Sequence, residues 1–215
     1  METKQNILWE GEPVLSYSME LPRGPERCRR LARYLARTEQ VWGNYWEKRT
    51  APAACEALRA QRERGGSFTP WTARLTGEVT LETEELFSMK LEAREVHGDG
   101  RPCLVCWGEI WDVERDAPLN VENLYPAGKG WENRVLERIF CQGEAGSRGN
   151  LWVPAKNWRE RVKNTLKRRS PWVDEKRVFW SFPQGFIADP AEGTPVFETE
   201  REDMVGTSGR NRNFP

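Results

Sequence analysis

Apolar and polar positions along the chain fall into blocks of two periods. In residues 71–82, Trp71, Ala73, Leu75, Gly77, Val79 and Leu81 alternate with polar residues, the period-two signature of a strand with one wet face. Phe87, Met89, Leu91 and Ala93 alternate in the same way with Ser88, Lys90, Glu92 and Arg94. A turn at Gly98-Asp99-Gly100 leads into residues 103–113, where Val105, Trp107 and Trp111 make one face apolar and Leu104, Cys106 and Ile110 the other. A strand buried on both faces is predicted to lie centrally. Residues 8–20 read as a first strand that stops at Leu21-Pro22.

The other blocks have helical spacing. Leu31, Leu35, Val41, Trp42 and Tyr45 predict a helix over 26–48, and Pro52 then sits where a second helix would begin, ending near Gly65-Gly66. Residues 131–141 and 155–169 predict two more helices, the second opened by Pro154. The glycines of 143–149 read as a flexible connector, and 178–182 and 194–199 as closing strands. This order predicts an α+β fold, an antiparallel sheet with helices packed on one face, built as two intimately associated subdomains. They are a strand–helix unit over 1–70 and a larger unit over 71–206, followed by a polar tail, 207–215, expected to be disordered.

Composition narrows the class. Of 215 residues, 38% are hydrophobic and 31% charged, enough for a core beneath an ionic surface. Thirty-three basic and thirty-three acidic side chains cancel, which removes any whole-molecule pull toward nucleic acid or anionic membranes. No apolar run approaches a membrane span, and residues 1–6 lack the apolar core of a signal peptide, so a cytoplasmic location is expected. Five cysteines at irregular spacing (Cys28, Cys55, Cys103, Cys106, Cys141) agree with a reducing compartment.

From Leu86 onward the chain resembles the RsiV-like domains of unknown function. Those domains form the outer part of a lysozyme-sensing anti-sigma factor and accompany some peptidoglycan deacetylases. Val96-His97-Gly98-Asp99-Gly100 falls where that family has a glycine-rich turn, and Trp111-Asp112-Val113, Pro118-Leu119 and Glu122-Asn123-Leu124-Tyr125 match its progression into a helix. Residues 172–182 follow its aromatic strand–turn–strand, and Ile187-Ala188-Asp189-Pro190 to Gly193 aligns with an Ile-Ala-Pro-Tyr loop. The chain departs from the pattern at Pro190, where the family has Tyr, and at Thr199-Glu200-Arg201, where it has Ile-Pro-Tyr. The histidine precedes the glycines instead of lying among them, and neither the sensor's anchor nor its export signal is expected here. The resemblance implies the fold, and sets this chain apart from lysozyme sensing.

Candidate chemistry is sparse. Cys103-Leu104-Val105-Cys106 is the one CxxC, but a strand sends positions i and i+3 to opposite faces, which suits packed thiols better than redox or metal chemistry. His97, the only histidine, has Asp99 nearby to orient its ring, and Glu109 shares a strand face with Trp107 and Trp111 among the carboxylates Asp112, Glu114 and Asp116. A cryptic hydrolase of glycans or esters would need His97, Asp99 and Glu109 in one cleft. Residues 23–37 carry six arginines against one glutamate, and 156–169 seven basic residues against one glutamate, faces able to hold phosphates. The closing segment 189–203 answers with six acidic residues, which makes internal pairing the expectation and nucleic acid unlikely on charge grounds. The reading favoured by the sequence is a non-enzymatic binding or regulatory domain with a protein partner, and no cofactor or metal is implied. Its contact surface is expected on two loops, through His97, Asp99 and Arg101 on one and Pro183, Gln184, Asp189 and Pro190 on the other.

Overall fold

The computed structural model describes residues 3–119, 130–149 and 152–201. Its fold is α+β. Six strands lie in chain order in one sheet: β1 (Thr3–Trp9), β2 (Glu12–Glu20), β3 (Trp71–Glu82), β4 (Leu86–Val96), β5 (Pro102–Asp112) and β6 (Ala117–Pro118). The expected single strand over 8–20 is a hairpin. Glu10 (φ 50°) and Gly11 (φ 85°) both take left-handed conformations, the geometry of a two-residue type I′ turn, and Trp9 then pairs with Glu12. The sheet is mixed, not antiparallel throughout. β2 and β3 run parallel, Leu15 opposite Trp71 through Glu20 opposite Thr76, because a long helical crossover returns the chain to the end where β2 began.

That crossover is one continuous helical rod, where two separate helices were expected. α1 (Arg29–Tyr45) passes through a π-helical turn (Trp46–Thr50) into α2 (Ala51–Glu63). Pro52 has no N–H to give, and in an α-helix its ring would press on the Lys48 carbonyl. The widened turn just before it, closed by Ala51 N–H bonding Trp46 O, lets the rod continue. The start of α1 is held from far away in the sequence. Asp116, in the turn after β5, accepts from the N–H groups of Arg30 (2.6 Å) and Leu31 (3.1 Å) and so caps the helix over β5.

The second layer is a three-stranded antiparallel sheet, β7 (Trp172–Val173), β8 (Arg177–Ser181) and β9 (Val196–Glu200), with α3 (Trp131–Arg148) and α4 (Trp158–Thr165). α3 runs through the glycines expected to be a flexible connector. A Cβ at Gly143 would lie 2.5 Å from the Trp158 ring, and one at Gly146 would lie 2.9 Å from Trp152. These glycines serve close helix packing of two indoles, and Trp152 Nε1 donates to Gly143 O at 2.7 Å.

Two cores lie on opposite faces of the main sheet: the helical rod covers one, and the small sheet β7–β9, with α3 and α4 in the same core, packs against the other. Leu31, Leu35 and Trp46 of the rod pack on Leu75, Phe87, Met89, Leu91 and Trp111. On the other face, Ile110 and Leu81 join Val135 and Ile139 of α3, Val162 of α4 and Val178 and Trp180 of β8. Leu81 reaches that second core because a bulge between Val79 and Leu81 reverses the alternation of β3. β5 is buried on both faces because it lies between the two cores; in the ladder it is next to last. Gly108 lets the second layer approach, since a Cβ there would sit 2.2 Å from the Pro171 backbone. Among the described residues no helix is long and apolar enough to cross a membrane.

Candidate functional site

One of the two loops singled out in the sequence is tied by a side chain to the start of β5, the strand that follows the other. After β8 the chain runs through Pro183 to Gly193 before entering β9. Ile187 and Ala188 are buried within this loop, and backbone bonds from Ala155 N to Ile187 O and from Asp189 N to Val153 O fix its far side. Asp189 Oδ1 accepts from Ala191 N (2.9 Å) and caps a short 3-10 turn, Pro190–Glu192. Gln184 reaches across to the edge of β5. Its Oε1 accepts from Leu104 N at 2.7 Å, and its Nε2 donates to Pro102 O (2.9 Å) and Pro190 O (2.7 Å). Gln184, expected in the contact surface, has its amide committed to three backbone groups.

Pro102 directly follows the other loop. Gly100 (φ 74°) closes that turn by bonding His97 O, and Asp99 Oδ1 accepts from Arg101 N at 3.1 Å. Asp99 was expected to orient His97, but its carboxylate is spent on the turn. Glu95 does that work. Two residues apart on a strand, Glu95 and His97 share a face, and Glu95 Oε2 lies 3.1 Å from His97 Nε2. The ring is stacked on Trp71, with centroids 4.1 Å apart. Glu95 is buried, and its other oxygen accepts from the fully buried Trp46 indole at 3.0 Å. The i, i−2 spacing of Glu95 from His97 was the available sequence signal. Asp99, Arg101, Pro183, Asp189 and Pro190 are exposed, and His97 and Gln184 are partly buried.

The remaining candidates separate. Cys103 is exposed and Cys106 is buried on the opposite face of β5, with burial pushing its thiol up to about 11. Glu109 accepts from the Tyr34 hydroxyl at 2.5 Å, and burial raises its carboxyl above the usual range. Burial, reinforced by Glu109, raises the Tyr34 hydroxyl as well. Glu109 pairs with Met89, whereas His97 follows Val96 at the far end of β4. Eight residue steps at about 3.4 Å each separate them by roughly 27 Å. His97, Asp99 and Glu109 thus do not form one cleft, and the hydrolase constellation is not assembled. Asp112 accepts from Arg115 N, Asp116 caps α1, and Glu114 is exposed.

The two basic segments fare differently. Arg159 pairs with Glu144, Lys167 with Glu132 (2.8 Å), and Arg161 donates to Phe186 O, so the second is partly neutralised. On α1, Arg30, Arg33 and Arg37 have no carboxylate partner among the described residues. They line an open cleft of about 550 Å³ with Tyr34, Glu109, Trp111 and Pro118. The described part of the acidic segment does not answer them. Glu198 pairs with Arg177, and residues 202 and 203 lie outside the described residues, as do 122–125 and the tail 207–215.

Neither a scan against models of protein families nor a search of curated proteins finds a match. Solved structures do. A member of the DUF3298 family from Bacteroides fragilis superposes with a TM-score of 0.59 at 10% identity, covering 95% of this chain and 90% of that one. A DUF3298 family protein from Pseudomonas aeruginosa gives a TM-score of 0.55 at 12% identity, covering 94% and 88%. At these identities the likeness shows the fold, and the fold is that of an uncharacterised domain family.

Proposed function

We propose that this chain is a non-enzymatic protein-binding domain whose recognition surface is the pair of loops 96–101 and 183–193. The observation that carries the reading is the Gln184 clamp. It ties the 183–193 loop to the first residues of β5, directly after the 96–101 turn, and such preorganisation favours recognition because ordering a mobile loop on binding costs affinity. The exposed groups differ in character: Asp99 and Asp189 are acidic, Arg101 is basic, and Pro183 and Pro190 give rigid apolar contacts.

The reading places the chain with the RsiV-like domains. Two resembling segments support it: the aromatic strand–turn–strand is the β7–β8 hairpin, with Trp172 stacked on Phe179, and residues 187–193 form the clamped loop. It also places the protein in a reducing compartment such as the cytoplasm. In support, all five cysteines are free and two of them, Cys103 and Cys141, are exposed.

The test is a variant carrying Asp99→Ala, Arg101→Ala, Asp189→Ala and Pro190→Ala with Gln184 intact. It is expected to lose partners that the wild-type chain retains in affinity capture. A folded variant that still holds every one of them would overturn the assignment.

A further inference from the structure

We infer that the cleft between α1 and the β5–β6 edge is a second site, one that binds a compact, multiply charged oxyanion of the phosphate class. Arg30, Arg33 and Arg37 recur at i, i+3 and i+7, so they project along one side of the rod into the same 550 Å³ space. Like charges so placed repel one another unless something answers them, and no described carboxylate does. Glu109, which lines the cleft, accepts from Tyr34, and the Asp116 carboxylate is bonded to the N–H groups of Arg30 and Leu31. Guanidinium groups are planar forks suited to the paired oxygens of phosphates.

The facing wall fits the same ligand. Glu109 lines the cleft half-buried, burial raises its carboxyl above the usual range, and its Oε1 accepts from the Tyr34 hydroxyl. Trp111 lines the cleft at 4% exposure, and its indole N–H is buried without an acceptor. The Trp111 indole N–H thus lies without an acceptor beside Arg30, Arg33 and Arg37, which have no ion-pair partner among the described residues.

A second opening of about 400 Å³ shares Glu109 and Pro118 with the first and is lined by Lys167, Arg168 and Arg169. There Arg169 Nε is another buried donor without a partner. Two basic segments some 130 residues apart in sequence thus flank one ridge. Two adjoining pockets of this size suit a ligand with two anionic groups, such as a diphosphate. A long polymer would also run onto the acidic surface that brings the net charge to zero.

The experiment is calorimetric titration of the full chain with inorganic pyrophosphate at low and moderate salt, with the indole N–H resonances followed by NMR. Saturable binding that weakens with salt and moves the Trp111 indole signal is expected. In an Arg33→Gln, Arg37→Gln variant the affinity should fall about tenfold or more with unchanged thermal unfolding, since two charge-assisted contacts are removed. Arg74→Gln, on a distant strand and paired with Glu20, should bind as wild type. Absence of saturable binding, undiminished binding in the double variant, or binding of a single-stranded oligonucleotide but not pyrophosphate would each overturn the inference.

Discussion

The side-chain amide of Gln184 stands in for a neighbouring strand beside Leu104, accepting its N–H at 2.7 Å while donating to the carbonyls of Pro102 and Pro190. A strand edge left open is a row of unpaired donors and acceptors. Here that edge is closed, and the closing group carries a loop with it. Farther along β5, Ser170 O and the Ser181 hydroxyl bond Gly108 N and Cys106 O on the same strand.

Gln184→Ala should therefore do more than trim a loop residue. Three hydrogen bonds go, and the cost is about 1–3 kcal/mol. Urea unfolding should report the loss, and hydrogen exchange should show a faster Leu104 amide. An unchanged Leu104 amide would show that the clamp does not hold the edge.

Glu95 satisfies two groups at once, the Trp46 indole and the His97 ring. Glu95→Leu should destabilise by about 1–3 kcal/mol, because it leaves the indole N–H of a fully buried Trp46 without an acceptor. Glu95→Gln keeps an acceptor and should cost less. Chemical denaturation of the two variants side by side checks the order.

Burial holds Cys106 as a neutral thiol, with its pKa raised from 9.0 to about 11. At pH 8 iodoacetamide should label the exposed Cys103 and Cys141 first and the buried Cys28 and Cys106 last, as mass spectrometry would show. The folded value lies above the unfolded one, so this thiol's contribution to stability is complete below pH 9 and is lost as pH rises toward 11. Cys106→Ala should blunt the alkaline destabilisation over that window.

Asp116 caps α1 across 85 residues of chain. Asp116→Ala should cost about 1 kcal/mol, within the range measured for lost N-caps, and Asp116→Asn less, read from urea midpoints. Because the cap also seats α1 over Glu109, Asp116→Ala should loosen the Tyr34–Glu109 hydrogen bond, visible as a shift in Tyr34 ring resonances.

The strands β3 to β5 were legible because their alternation is local, and the α+β class followed from the order of blocks. What stayed hidden depends on other parts of the chain or on unusual backbone. Glu10 in a left-handed turn carries no strong turn signal, so a hairpin read as one strand. Pro52 signalled a helix start because a π turn that absorbs it is not encoded by any residue type. Gly143 and Gly146 read as a connector until Trp152 and Trp158 were seen pressed against them. At the site, both loops were legible as Gly- and Pro-marked turns, whereas the role of Gln184 was not, since its partner at Leu104 is 80 residues away. The arginines of α1 were visible in the sequence, but only the packing shows which basic segment is left unpaired.

The account's central claim is that the two loops act as one recognition surface. The direct measurement is photocrosslinking in native lysate with a photoreactive residue installed at Arg101, at Pro190, and, as a control, at the exposed Leu8 on the opposite edge of the main sheet. The account predicts the same partner protein joined to the Arg101 and Pro190 sites and absent from the Leu8 site. A partner captured at Leu8 and at neither loop would contradict it.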